Sequence, residues 1–269
     1  MNPYLDFVRS IEQGVCAADL VAMAPSRTTV VESDSKVLLF SPHPDDECVI
    51  GALPLRLMRE AGKQIINIPV TFGSNVERRE ARARELADAC AYLGWRSFRP
   101  DASLGPLEVP ELVSVLQAFT PEVVFFPHEK DWNTRHISTH ALAMAALRQM
   151  GEGFGCIVVE TEFWGAMSDP NLAVEADAAL VADLVAATAL HVGEVARNPY
   201  HLHLPAWMQD NVRRGGELVG GQGHAAPDFS FATLYRVRRW QHGALTQVLG
   251  DGEMLAMQSD RLGKLFAGK

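Results

Sequence analysis

With 269 residues and 48% apolar content, the chain has enough for one α/β domain with a sizeable core and is too apolar to be disordered throughout. Its net charge of −9 disfavours nucleic acid and anionic membranes as partners, since both need clustered Lys and Arg. Four cysteines without CxxC spacing suit reduced, buried thiols; no apolar run spans a bilayer and the first ten residues are not a signal peptide, so a soluble cytoplasmic protein is expected.

Residues 3–24 read as an amphipathic helix, with Leu5, Val8, Ile11, Val15 and Leu20 on one side, fit for packing or for a homo-oligomer contact. The chain then reaches KVLLFSPHPDDECVIG, Lys36 to Gly51. Val37 to Phe40 is a short apolar run of the kind buried on both faces of a parallel sheet. A polar turn follows, and a helix pattern starts near Cys48. Ligands of open parallel sheets sit at the carboxyl ends of strands, so His43, Asp45 and Asp46 are placed for chemistry.

Imidazole and carboxylate groups suit a metal such as zinc in a catalytic site with an open position. His43 and Asp46, three residues apart on a strand-to-helix turn, can face one point, and Pro44 stiffens that turn. Asp45, pointing elsewhere, can take a proton from an activated water. Glu47 stands at the helix start, where negative charge is favourable.

SPHPDDE resembles the (A/S)HPDDE motif of the PIG-L/LmbE family of zinc-dependent N-acetylglucosaminyl deacetylases. The resemblance implies a Rossmann-like fold and hydrolysis of the acetamide of an N-acetylated amino sugar or sugar conjugate. It also implies one Zn²⁺ per chain, with His43 and Asp46 as ligands and Asp45 as general base. Fe²⁺ and Co²⁺ suit the same donors.

Downstream, Gln64 to Thr71 reads as a strand and Val76 to Leu93 as a helix. In that helix, Arg82 to Leu86 resembles the family's RxxEL element, whose Arg reaches the substrate. A brief strand at Ser97 to Arg99, a helix from Pro110 to Phe119 and a buried strand from Glu122 to Pro127 follow. The alternation predicts a mostly parallel twisted sheet with helices on both faces.

A second polar segment, HEKDWNTRHISTH (His128 to His140), opens a helix. His136 and His140, four apart, share a helical face and can reach one metal. Here the family pattern resembles D-x-H-x-D-H. With Asp131 in first place, His136 becomes the third ligand, Asn133 takes the place of the oxyanion-stabilising His, and Arg135 replaces an Asp. The alternative register makes His140 the ligand. His128 and His140 are candidates for the missing acid or oxyanion role.

Beyond lies a strand from Cys156 to Trp164 whose Glu160 and Glu162 make one face acidic, then a helix over 175–192. Residues 197–205 hold too much proline for a helix, and Ala206 to Leu218 reads as one. Phe231 to Trp240 alternates as an edge strand, and 253–266 reads as a terminal helix. His201, His203 and His224 in this region suggest a lid or substrate wall.

The expectation is a single domain over 1–269. Its core (1–165) carries the metal site, and a C-terminal appendage (166–269) shapes the substrate. The reaction is metal-dependent N-deacetylation. The alternatives are a catalytically silent metal- and sugar-binding protein of the same fold, or a two-metal phosphoesterase.

Overall fold

Alternate residues of the first strand face two separate cores, and the architecture follows from that. The computed structural model describes residues 2–16, 29–100 and 104–267. In strand β1 (Lys36–Ser41), Val37 and Leu39 join one apolar cluster while Leu38 and Phe40 join another, as the two-residue period of a strand requires. All four are at most 2% exposed, and burying such side chains stabilises by roughly 1.5–3 kcal/mol each.

The expected amino-terminal helix is α1 (Leu5–Cys16), with Phe7, Val8 and Ile11 exposed; the rest of its expected length, 17–24, lies outside the described residues. The first core is closed by short α2 (Asp46–Val49), α3 (Ala52–Ala61) and, after β2 (Gln64–Pro69), by α4 (Arg79–Leu93). After β3 (Arg96–Ser97), the helices α5 (Val109–Phe119) and α6 (Thr134–Gln149) close the second, with β4 (Val123–Pro127) between them. Then come β5 (Cys156–Thr161), β6 (Leu172–Ala176), α7 (Ala178–Ala189), α8 (Val192–Arg197) and α9 (Tyr200–Leu218). Strands β7 (Phe231–Gln241), β8 (Ala244–Gln247) and β9 (Glu253–Leu255) precede α10 (Arg261–Leu265).

The sheet order is β3-β2-β1-β4-β5-β7-β6-β9, with β8 alongside β7. From β3 to β5 every pairing is parallel, the Rossmann-like arrangement expected. The C-terminal part continues this sheet instead of hanging from it. Strand β7 is antiparallel to both β5 and β6, so FATLYRVRRW is an internal strand and not an edge. Two of its basic residues share an acidic partner on β5: Arg236 Nε and Nη2 donate to Glu160 at 2.7 and 2.8 Å, and Arg238 adds 2.6 Å. The acidic face of β5 is therefore neutralised.

Two other expectations change. The expected terminal helix gives way to β9, parallel to β6, and only the five-residue α10 is helical. The helix α9 begins at Tyr200 and contains Pro205, whose ring removes one backbone donor without ending the helix. Leu204 and Met208, both fully buried, anchor it on the first core. Cys48, Cys90 and Cys156 are buried and unpaired. No described helix is long and apolar enough to cross a membrane.

The expected motif helix breaks between α2 and α3. Tyr235 of β7 fills the break: its hydroxyl donates to the Ile50 carbonyl at 2.7 Å and accepts the Leu53 N–H at 3.1 Å. Buried backbone groups at the break are thereby satisfied.

Candidate active site

Between β1 and β4 the order of connections reverses, which opens a crevice at the carboxyl ends of these strands. The ladder between β1 and β2 runs on past both strands. Val70 N–H donates to the Ser41 carbonyl at 2.7 Å and Thr71 N–H to the Pro42 carbonyl at 3.2 Å. Pro42 is thereby fixed, and His43 leaves the sheet in a set direction.

Asp46, the first residue of α2, is the hub. Its Oδ2 accepts the His43 backbone N–H at 2.9 Å and lies 3.3 Å from His43 Nδ1. The same oxygen lies 3.3 Å from His136 Nε2, and Oδ1 accepts the Trp164 indole N–H at 3.3 Å. One ligand atom each from His43, Asp46 and His136 falls within 4.8 Å of the others. His136 Nε2 is buried with no hydrogen-bond partner, while its Nδ1 lies 3.4 Å from Asp131 Oδ2. A carboxylate behind one ring nitrogen sets the tautomer that leaves the other free for a metal. These donors therefore fit a divalent cation, with two imidazoles and one carboxylate in the proportion common at catalytic zinc.

The same groups also shift one another's titration. Burial opposes charge on His136, yet the Asp46 and Asp131 carboxylates push its pKa up to about 10. Burial likewise opposes charge on Asp46, but His136 and His43 hold its carboxyl well below the usual range. Asp45 shows the opposite outcome: burial, then the Asp46 and Glu47 carboxylates, raise it well above the usual value, and Arg82 only partly offsets them. Such tuning favours proton exchange.

Asp45 has φ +112°, a conformation costly for a side-chain-bearing residue. Its N–H donates to Glu47 Oε2 at 3.0 Å, and Glu47 Oε1 is 2.8 Å from His191 Nε2, both side chains being fully buried. Glu47 is thus more than a charge at a helix start: it braces the Asp45 backbone.

A cavity of about 390 Å³ opens onto His43, Asp45 and Asp46. Arg82 lines it, with Nη2 donating to the Pro44 carbonyl at 3.0 Å and 3.9 Å from Asp45 Oδ1. Asn133 lines it too. Its Oδ1 caps α6 by accepting the Arg135 N–H at 2.9 Å, which leaves the amide NH₂ as the group it can offer. Arg135 itself is exposed.

The structure brings His136 to His43 and Asp46, and it does not bring His140. Four residues further along α6 is about 6 Å along the axis. His140 Nδ1 there donates to the Pro127 carbonyl at 2.9 Å, beside Glu160 at 3.7 Å. His128 is also turned away from the cavity, with Nε2 2.7 Å from the Gly165 carbonyl. That contact needs glycine at 165, because a Cβ would lie 2.8 Å from Asp131 Cα. None of His201, His203 and His224 lines the cavity.

Residues the sequence reading missed complete the wall: Trp164, Glu194, Arg197, Asn198 and Tyr200. Trp164 and Tyr200 meet edge to face at 4.9 Å. Trp132 at the mouth is 69% exposed. The sequence pointed to this region as a substrate wall through His201, His203 and His224, but the residues that line the cavity are their neighbours.

Residues 38–147 match the PIG-L family, described as GlcNAc-PI de-N-acetylase. No curated protein sequence matches the chain significantly. Among solved structures it is similar to GalB, the 4-carboxy-2-hydroxymuconate hydratase of Pseudomonas putida KT2440, with TM-score 0.58 and 18% identity over 76% of this chain and 95% of that one. It is similar to the conserved protein TT1542 of Thermus thermophilus, with TM-score 0.55 and 21% identity over 74% and 93%. N,N'-diacetylchitobiose deacetylase of Pyrococcus horikoshii gives TM-score 0.55 and 14% identity over 86% and 93%. The matched segment begins in β1, just before the HPDDE turn, and ends in the helix of His136, so the part of this chain that is similar to the PIG-L family is the part that carries His43, Asp46 and His136.

Proposed function

We propose that this protein is a metal-dependent N-deacetylase acting on an N-acetylated amino sugar or sugar conjugate. The observation that carries the reading is the convergence of His43, Asp46 and the unpartnered Nε2 of His136 on one point beside an open cavity. The deacetylase named among the structural neighbours supports it. Among the described residues only this group of three donors borders the cavity, which favours one metal per chain over a two-metal phosphoesterase.

His43, Asp46 and His136 would hold the ion, Zn²⁺ by donor chemistry, with Fe²⁺ or Co²⁺ as substitutes. A divalent cation held by these three residues would supply Lewis-acid chemistry, lowering the pKa of a bound water and polarising an acyl oxygen. Asp45 accepts a proton from the attacking water on its carboxylate and, with its raised pKa, returns it to the leaving amine. The Asn133 amide offers a hydrogen bond to the developing oxyanion, in the place where the family pattern has His. Arg82 orients Asp45 and meets the sugar.

Asn133 also favours a second reading, a metal- and sugar-binding protein without turnover, since an amide shuttles no proton. The test loads the protein with Zn²⁺, Co²⁺ or Fe²⁺ and follows primary-amine release from N-acetylglucosamine, N,N'-diacetylchitobiose and related sugars, with Asp45→Asn as control. Sugar binding without amine release under any metal would establish the silent reading and end the catalytic one.

A further inference from the structure

Two arms from one short helix close on a single peptide group. His191 takes the cap position at the start of α8, where its carbonyl accepts the Glu194 N–H at 2.9 Å and the Val195 N–H at 3.0 Å. Its imidazole turns back to the HPDDE turn, with Nε2 2.8 Å from Glu47 Oε1. Nδ1 of the same ring is buried with no hydrogen-bond partner among the described residues. A carboxylate at one nitrogen and nothing at the other puts the proton on Nε2, so His191 donates to Glu47. An unpaired buried polar atom is costly, and an apolar side chain of similar size would avoid it. What the imidazole adds here is therefore the one donor that faces Glu47.

Glu47 passes the constraint on. Cys48 Sγ meets the same Oε1 at 3.3 Å, and Oε2 accepts the Asp45 N–H at 3.0 Å. Glu47, Cys48 and His191 are fully buried, so bulk water does not compete for these contacts.

The second arm starts three residues later. Glu194 Oε1 pairs with Arg82 Nε at 3.5 Å, and Arg82 Nη2 donates to the Pro44 carbonyl at 3.0 Å. The Pro44 carbonyl and the Asp45 N–H are the two ends of one rigid, planar peptide group. Helix α8 thus holds that group at its oxygen through Arg82 and at its nitrogen through Glu47. Between the two arms, Gly193 N–H donates to Glu85 Oε1 at 3.2 Å, which ties α8 itself to α4. Rotating the peptide plane would break one contact or both. That plane sets the φ of Asp45, +112°, and with it the direction of the carboxylate whose Oδ1 lies 3.9 Å from Arg82 Nη2.

We propose that His191 and Glu194 are positioning residues which, acting through Glu47 and Arg82, clamp the Pro44–Asp45 peptide and so aim the Asp45 carboxylate. Their part in catalysis rests on the reading of Asp45 as general base, whereas the clamp itself does not.

The test reads amide hydrogen exchange at Asp45 by NMR and amine release by the Zn²⁺-loaded protein on the same variants. His191→Leu removes the donor and His191→Gln keeps one. In His191→Leu, exchange at Asp45 should quicken and kcat should fall, each by about tenfold or more, with KM and Zn²⁺ affinity unchanged. His191→Gln should recover most of both. Added to Glu47→Ala, His191→Leu should cost nothing further in kcat, since it acts through Glu47. Glu194→Ala leaves the buried cluster intact and decides the matter where His191→Leu does not fold: it should quicken exchange at Asp45 without changing Zn²⁺ affinity. Exchange at Asp45 and kcat both unmoved, a loss of stability alone, or a His191 effect that adds in full to that of Glu47→Ala overturns the proposal. A wild-type protein that releases no amine from any sugar, while its Asp45 amide still depends on His191, would keep the clamp and end the deacetylase. Amine release indifferent to His191 and Glu194 would do the reverse.

Discussion

Glu47 Oε2 accepts the backbone N–H of Asp45 at 3.0 Å, and Asp45 is one of four described non-glycine residues with positive φ. A strained backbone persists only where its surroundings over-determine it, and the strain is worth roughly 1–3 kcal/mol. Glu47→Ala is therefore expected to lower the rate of amine release about 10- to 100-fold, with KM and metal content unchanged. It should also destabilise the fold by about 1–3 kcal/mol, because His191 is left buried without its partner. Steady-state kinetics, metal analysis and denaturant unfolding check this. Loss of metal in place of loss of rate would show that Glu47 acts on the ligands instead.

Asp45→Asn and His136→Ala should fail in different ways. The first keeps the three donors, so metal binding persists while the rate drops by ~10²–10⁴, the usual worth of a positioned acid–base group. The second removes the unpartnered nitrogen and should abolish both. Asp131→Asn, behind His136, is expected to weaken metal affinity about 10- to 100-fold. Metal titration against a competing chelator distinguishes the three variants; an Asp45→Asn protein that no longer binds metal would move Asp45 into the ligand set.

Stability should fall in acid in two stages. Burial holds His140 below the ordinary imidazole pKa of 6.5, so below that pH the unfolded chain takes up a proton that the folded chain resists, and folding weakens as pH drops. Glu129, despite burial, is lowered to about 2 by its hydrogen bond with Arg236. Its contribution is present above about pH 4.5 and is lost as pH falls toward 2. The His140 contribution should therefore be lost as pH falls below about 6.5, so between about pH 7 and about pH 5 the melting temperature of the wild-type protein should drop relative to that of His140→Gln. An unchanged slope in the variant would assign the first stage elsewhere.

Arg236 joins Glu160, Glu129 and Asp169 across β5, β7 and the loops beyond them. Glu160 is fully buried, and Arg236→Ala would leave it to Arg238, with His140 3.7 Å away. A cost of roughly 3–5 kcal/mol is expected, as for other broken buried pairs. Denaturant unfolding measures it. A change below about 1 kcal/mol would mean that Arg238 alone neutralises Glu160.

The sheet from β3 to β5 was legible because each strand is a short apolar run and each polar cluster sits at a strand's carboxyl end. The His43–Asp46 pairing was legible for the same reason, since three residues of one turn fix it. The choice between His136 and His140 was not. Both share a helical face, and only the depth of α6 against β4 separates them. The alternation of basic and apolar residues in Phe231–Gln241 suggested an edge because a strand's own sequence does not contain the partner, Glu160, that lets arginines be buried. The Glu194–Tyr200 wall depends on where α8 and α9 come to rest, and no local spacing encodes that.

The hydroxyl of Tyr235 inserted between Ile50 and Leu53 makes the division of this chain into a front half and a back half misleading. A fragment ending near residue 165 would have all three proposed ligands and still lack the group that closes the gap in their supporting helix. Grafting a foreign C-terminal portion onto this front half would work only if it brought a hydroxyl to the same spot.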